Sequence, residues 1–166
     1  MKKIVTLLSL LIITVSGLTQ TDSIQPPYKK FPFFPPVKLL LPDSATSFTK
    51  DDLPKKRPVM LMVFSPACEH CQHEAEELVK NMDKFSKITI VMATMLPFDS
   101  MMHFRTKYGL AQYENIIMGQ DTHFFLPPYY DIHNLPFLAF YDKKGKFISI
   151  FEGNLPMDKV LAELAK

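Results

Sequence analysis

Residues 59–71 read VMLMVFSPACEHC, and this stretch decides the fold of the chain. Its first six residues are apolar without alternation, which is typical of a strand buried on both faces of a sheet. Ser65 and Pro66 end the strand, and the pair Cys68 and Cys71 follows at once. The sequence contains no other cysteine. A buried strand therefore leads directly into a Cys-x-x-C motif.

The residues after this motif have the periodicity of a helix. Apolar side chains recur at spacings of four, three, four and three, at Cys71, Ala75, Leu78, Met82 and Phe85. This spacing places them on one face of a helix. Acidic residues concentrate near its start and lysines near its end, as the helix dipole favours. We therefore expect Cys68 at the N-terminus of the helix, and Cys71, on the apolar face, as the more buried cysteine.

Proteins use two cysteines at this spacing in several ways. A structural disulfide usually closes a longer loop, and small disulfide-stabilised domains carry four or more cysteines. A closed zinc site needs four ligands, and the sequence offers no second Cys/His pair. Two thiolates are enough for Cu(I), so a copper or zinc carrier that also uses His70 or His73 stays open beside a redox-active pair.

The N-terminus has the pattern of a secretory signal peptide. Lys2 and Lys3 give a positive start, and residues 4–15 are almost all apolar. This run is short for a membrane span, and small residues follow it. We predict a signal peptide at residues 1–20 and a periplasmic or secreted mature protein, with an uncleaved membrane anchor as the alternative.

The mature chain is expected to be electrically neutral. Removal of Lys2 and Lys3 from 19 basic residues leaves 17, against 17 acidic residues. A neutral chain produces no net field that would collect polyanions. Since no basic patch is evident in the sequence either, we expect neither nucleic acid nor an anionic membrane surface as a partner.

The remaining sequence predicts one domain of the α/β class. Residues 21–36 are rich in proline and aromatic residues, and we expect an extended arm because so many prolines exclude helix and central strand. In residues 37–166 we predict strands at 37–41, 59–64, 88–94, 116–118, 137–141 and 146–151, and further helices at 98–108 and from 156 onward. The interpretation of residues 122–130 stays open. This order predicts a central mixed sheet flanked by helices.

Four features in this order resemble the thioredoxin superfamily, and specifically the exported TlpA/ResA-type thiol–disulfide oxidoreductases. The buried strand runs into Cys68 and Cys71 at a helix start. Glu74 follows three residues later, where that subgroup places an acidic residue. Pro136 stands directly before the hairpin strand, at the cis-proline position of the family, and residues 142–146 form the turn between the last two strands. The resemblance covers roughly residues 37–166 and implies a thioredoxin-like fold.

Two positions depart from the family pattern. Family members usually have tryptophan before the first cysteine, where this chain has Ala67. The buried acid of thioredoxin itself would fall near Met62, so its role is either missing or moved to Glu74. These departures concern substrate docking and proton handling, and they leave the redox pair in place.

We predict different roles for the residues of the motif and the adjoining helix. The N–H groups and positive dipole end of a helix favour a thiolate, so Cys68 is the expected nucleophile and Cys71 the resolving cysteine. Protonated His70 would stabilise the Cys68 thiolate, whereas Glu69 acts in the opposite direction, which predicts a reduction potential inside the range of about −270 to −120 mV. Glu74 is the candidate proton acceptor for Cys71, because desolvation raises the pKa of a carboxyl.

Substrates are expected to bind beside the proline. With Pro136 in the cis form, the main chain of Leu135 is free to pair with an extended substrate. We expect exported proteins with cysteines as substrates, a membrane thiol relay as electron donor, a monomeric state and no cofactor. A peroxiredoxin-like peroxidase is a further alternative, although only Ser65 fits its signature and Leu61 stands where proline is required.

Overall fold

The computed structural model describes residues 25–166. The predicted signal peptide, residues 1–20, lies outside the described residues. The described part forms a mixed seven-stranded sheet with helices on both faces. The predicted fold class, a thioredoxin-like α/β fold with a central mixed sheet, is confirmed. No helix within this part is long and apolar enough to cross a membrane.

The strands and helices are numbered in chain order. The strands are β1 (Leu39–Leu40), β2 (Ser47–Phe48), β3 (Val59–Val63), β4 (Thr89–Thr94), β5 (Ile116–Gln120), β6 (Phe137–Tyr141) and β7 (Phe147–Glu152). The helices are α1 (Pro27–Lys30), α2 (Glu69–Lys80), α3 (Phe98–Lys107), α4 (Leu126–Tyr130) and α5 (Met157–Leu164). Short 3-10 turns follow at Lys50–Asp52, Met82–Phe85 and Leu110–Gln112.

Strand β3 lies inside the sheet, whose order is β2-β1-β5-β4-β3-β6-β7. It pairs in parallel with β4 and antiparallel with β6. Its register with β6 joins Val59 to Tyr141 and Val63 to Phe137. Because of this register, the segment before β6 meets the end of β3 and the Cys-x-x-C motif, whereas the β6–β7 turn meets the start of β3.

The two faces of the sheet form two apolar cores. Successive strand residues point to opposite faces, so Met60 and Met62 pack against α2, α3 and α5, while Val59, Leu61 and Val63 pack against α4 and the N-terminal arm. Every residue of β3 is buried, as the continuous apolar run predicts.

The predicted apolar face of α2 is confirmed. Cys71, Ala75 and Leu78 are buried, and the pattern continues through Met82 and Phe85. The α-helix itself ends at Lys80, however, and these last two residues belong to a 3-10 turn.

The expectation that prolines exclude helix from residues 21–36 is wrong at residues 27–30. Those residues form the single turn α1, with Pro27 in its first turn, where a missing N–H group costs nothing. The rest of the described arm is extended and lies across the second core, where Tyr28 and Phe34 are buried. Two hydrogen bonds attach it to the β6–β7 hairpin: Phe34 N–H donates to the Gly145 carbonyl, and Phe147 N–H donates to the Pro32 carbonyl.

Candidate active site

Cys68 is the N-cap residue of α2, directly after the loop that leaves β3. Its N–H group donates to the Ser65 carbonyl at 3.1 Å, and its own carbonyl accepts from the Gln72 N–H at 3.0 Å. The Gln72 side chain in turn donates to the Pro66 carbonyl at 2.9 Å, which holds the loop against the first helical turn. Cys68 is half-buried at the mouth of the helix, as the sequence predicts.

Cys71 lies one turn further along α2 and is completely buried. Its sulfur accepts a hydrogen bond from the Ser65 N–H at 3.5 Å. Burial raises the pKa of the Cys71 thiol to about 12, against the lowering effect of that hydrogen bond. Both cysteines are free thiols. The predicted difference in burial between the two cysteines is therefore confirmed, and it gives them different chemistry.

The segment before β6 faces the exposed cysteine. The Leu135–Pro136 peptide bond is cis. The Cys68 thiol points to the Leu135 carbonyl oxygen at 3.8 Å. The β3–β6 register brings this segment beside the motif, across 67 positions of sequence. The structure thus places Leu135 and Pro136 at the candidate redox centre, where the sequence predicts them.

Glu74 is a buried carboxyl on the same helix, only 2% exposed. Its Oε2 atom accepts hydrogen bonds from the Asn154 side-chain amide at 2.9 Å and from the Leu155 N–H at 3.3 Å. Its Oε1 atom is buried and has no hydrogen-bond partner among the described residues. Burial raises the pKa of Glu74, and the hydrogen bond from Asn154 opposes that rise. A buried carboxyl with a raised pKa is a candidate for proton exchange with its neighbours.

Asn154 is a site residue that the sequence does not reveal. It lies between β7 and α5, and its side-chain amide donates to the His70 carbonyl at 2.7 Å as well as to Glu74. Its side-chain oxygen lies 2.9 Å from His70 Nδ1. Because an amide oxygen is an acceptor only, this contact favours the His70 tautomer with a proton on Nδ1. Asn154 therefore ties the motif to Glu74 and fixes the orientation of the imidazole.

The remaining positions of the motif are exposed. Glu69 begins α2 as a solvent-facing side chain, and His70 is exposed apart from its contact with Asn154. Ala67 is exposed, where the family usually has tryptophan, and Met62 is wholly buried in the apolar core. Glu74 is thus the buried acid of this site. The catalytic roles of these residues stay predictions.

The described residues offer few metal ligands at the motif. Between residues 25 and 166 there is no group of three or more His, Cys, Asp or Glu side chains that could hold a metal ion. A carrier built on the motif would have the two cysteine sulfurs as its ligands, a set that fits Cu(I) rather than zinc.

A Cys-x-x-C pair at the start of a helix, after an inner parallel strand and opposite a cis-proline, defines a thioredoxin-like protein. The chain belongs to the thioredoxin-like domain family, whose sequence pattern matches residues 49–166. No curated protein matches the sequence.

Several solved structures are similar to this chain. DsbF of Mycobacterium tuberculosis has a TM-score of 0.66 at 21% identity, over 78% of this chain and 93% of DsbF. A secreted M. tuberculosis disulfide oxidoreductase homologous to E. coli DsbE has a TM-score of 0.64 at 20% identity, over 78% and 95% of the two chains. The pneumococcal exposed lipoprotein thioredoxin of Streptococcus pneumoniae has a TM-score of 0.61 at 20% identity, over 77% and 96%. These similarities establish the fold.

Proposed function

We propose that this chain is an exported thiol–disulfide oxidoreductase that exchanges disulfides with exported proteins through Cys68 and Cys71. One observation carries the proposal: a half-buried thiol at the N-terminus of α2 touches the main chain before a cis-proline, with a second thiol buried one turn away. In this arrangement Cys68 is accessible to a substrate, whereas Cys71 is not.

In the first step the Cys68 thiolate attacks one sulfur of a substrate disulfide. A Cys68–substrate disulfide forms, the substrate S–S bond breaks, and its other sulfur leaves as a thiolate. Helix N–H groups and the positive end of the α2 dipole favour the attacking thiolate. The Leu135 main chain pairs with the extended substrate and holds its disulfide near Cys68.

In the second step the Cys71 thiol loses its proton and attacks the Cys68 sulfur. The Cys68–Cys71 disulfide forms, the second substrate thiolate leaves, and two electrons have passed to the substrate. Since burial raises the pKa of Cys71 to about 12, this thiol needs a base beside it. Glu74, on the same helix, accepts the proton, and the raised pKa of its carboxyl matches that task. The reverse sequence oxidises a substrate dithiol.

Export and partners belong to the same proposal. A signal peptide at residues 1–20 would direct the domain to the periplasm or to the cell exterior. A membrane thiol relay would then supply the electrons that reduce the Cys68–Cys71 disulfide again. Two of the similar structures are described as secreted or as an exposed lipoprotein, which supports this location. N-terminal sequencing of the protein recovered outside the cytoplasm should begin close to residue 20; a chain that stays in the cytoplasm would contradict export.

The redox role is tested by trapping the mixed disulfide. Cys71→Ser should accumulate a covalent complex with a disulfide-containing protein such as insulin, because the resolving thiol is absent. Cys68→Ser should form no complex and should not accelerate insulin reduction by dithiothreitol. Wild-type protein should accelerate it and accumulate little complex. Equal trapping by the two variants would contradict the assignment of Cys68 as the nucleophile.

Two further assays separate the alternatives. In the presence of equimolar Cu(I), the reduced protein should keep its exchange activity, because it binds the metal only weakly. The reduced protein should also consume hydrogen peroxide no faster than a free thiol does. Metal-bound, exchange-inactive protein would favour a carrier, and rapid peroxide turnover would favour a peroxiredoxin-like enzyme.

A further inference from the structure

A basic cleft lies at the opposite end of the sheet from the cysteines. It has a volume of about 500 Å³ and is lined by Lys50, Lys55, Lys56, Arg57, Lys143 and Lys144. No acidic side chain lines it. The expectation of no basic patch is therefore wrong, because the fold brings two distant sequence segments together at this place.

The cations of the cleft are free to bind an external partner. All six are exposed, and none takes part in an ion pair within residues 25–166. Two of the neighbouring acids, Asp52 and Asp142, accept hydrogen bonds within local turns, whereas Asp51 is exposed beside Lys50. The Asp52 carboxylate accepts from the Thr49 N–H, and the Asp142 carboxylate accepts from the Lys144 and Lys146 N–H groups. The cleft thus gathers positive charge in a chain whose net charge is small.

An aromatic groove adjoins the basic cleft. The two share Phe33, Phe34 and Lys50 as lining residues. Phe31 and Phe33 are each 58% exposed, although they are large apolar side chains. They stand on the arm, which follows the apolar N-terminal segment in the sequence. We call the six basic residues together with Phe31 and Phe33 the basic–aromatic face.

The basic cleft and the redox site lie at opposite ends of β3. Val59, the first residue of β3, lines the basic cleft, whereas Cys68 follows the last residue of the strand. The four residue steps from Val59 to Val63 separate these ends by roughly 13 Å. The register of Val59 with Tyr141 brings the Lys143–Lys144 turn to the same end. A surface that covers the basic cleft would leave Cys68 uncovered.

We propose that the basic–aromatic face docks the domain on a bilayer that contains anionic phospholipids. The six cations match the phosphates of the headgroups, and the exposed phenylalanines enter the interfacial layer beside them. Charge complementarity favours an anionic bilayer over a neutral one. The aromatic groove beside the cations adds an apolar contribution to binding, which a free anion would not use. Docked in this way, the domain turns Cys68 away from the membrane.

Vesicle binding of the full chain tests the charge component. The protein should bind vesicles of mixed phosphatidylglycerol and phosphatidylcholine more tightly than pure phosphatidylcholine vesicles. Lys55→Glu/Lys144→Glu should weaken binding to the anionic vesicles by at least about 25-fold, since the loss of each lysine near such a surface costs about fivefold and each new glutamate adds repulsion. The matched control Lys38→Glu/Lys159→Glu changes the charge equally outside the face. The N-terminal segment is the same in every variant, so differences between variants report the face.

Two further measurements test the aromatic component and the orientation. Phe31→Ser/Phe33→Ser should weaken binding to both kinds of vesicle, while Phe151→Ser, which removes a phenylalanine that is 39% exposed near the other end of the sheet, should not. A maleimide reagent should label Cys68 at the same rate in bound and free protein. Equal binding by both lysine pairs, or protection of Cys68 by the vesicles, would overturn the proposal. The proposal would also be overturned if soluble phosphate or an acidic peptide abolished vesicle binding at an ionic strength at which salt alone leaves that binding intact.

Discussion

Glu74 is a buried acid whose protonation is linked to folding. Burial raises the pKa of this carboxyl in the folded protein above its ordinary value of 4.5. The folded state therefore holds the proton more tightly than the unfolded state. The stability this provides is complete below about pH 4.5 and is lost as the pH rises through the folded pKa.

Glu74→Gln should remove this part of the pH dependence. Urea unfolding of the reduced wild type should show a contribution to the free energy of unfolding that falls as the pH rises above about 4.5 and levels off above the folded pKa of Glu74, by about 1.4 kcal/mol for each unit between the folded and unfolded pKa values. The Gln variant should lack that fall, and Glu76→Gln, exposed on the same helix, should keep it. Parallel curves for wild type and Glu74→Gln would contradict the assignment.

Asn154 should influence the pKa of Glu74 and, through that pKa, the pH dependence of the second step of exchange. Its amide lowers the pKa of Glu74, so Asn154→Ala should raise that pKa further and move the rise of the resolution rate to higher pH. Stopped-flow resolution of a preformed Cys68 mixed disulfide measures this shift. In the Glu74→Gln background the same substitution should leave the profile unmoved, because the two residues then no longer interact through a proton. A shift of equal size in both backgrounds would show a merely structural role.

The elements near the motif were predictable because their signals are local. The apolar run of β3 and the apolar face of α2 each follow from a few neighbouring residues, and the cis-proline segment follows from its place before β6. Strand β2 is only two residues long, too short for periodicity to reveal, and was not predicted, whereas the equally short β1 lies within the strand predicted at residues 37–41. Helix α1 escaped prediction because a proline count does not distinguish the first helical turn from an extended chain.

Gly119 permits the close contact between β5 and β1. A Cβ atom at this position would lie 2.7 Å from Leu39 Cβ and 3.1 Å from the Leu40 carbonyl oxygen. Gly119→Ala should therefore push β1 away and destabilise the protein by about 1–3 kcal/mol. Urea unfolding measures the loss. An unchanged or raised midpoint would mean that β1 does not pack against β5 as described, since alanine otherwise stiffens the unfolded chain and stabilises.

The fold places the basic cleft and the redox site at opposite ends of the sheet, and the order of residues in the sequence does not show this separation. The basic cleft is invisible in composition because its members come from residues 50–57 and 143–144, and only the pairing of β3 with β6 unites them. Asn154 reaches the motif for the same kind of reason, across 84 positions from His70. Contacts of this range depend on the completed fold, so periodicity and spacing do not predict them.

The two surfaces should work independently. Lys55→Glu/Lys144→Glu changes only the end of the sheet remote from Cys68, so the rate of insulin reduction in solution should equal that of the wild type. The dithiothreitol-coupled turbidity assay measures that rate. A loss of more than about twofold, beyond any difference in folded fraction by circular dichroism, would mean that the two ends of the domain are coupled.

The reduction potential of the Cys68–Cys71 pair tests the central claim most directly. Equilibration in glutathione buffers, with alkylation and mass measurement of the reduced fraction, gives this potential. A reversible exchange site should have a value inside the range of about −270 to −120 mV, and Cys68→Ser should abolish the transition. A pair that glutathione does not reduce, with a potential below about −300 mV as in structural disulfides, would contradict the account.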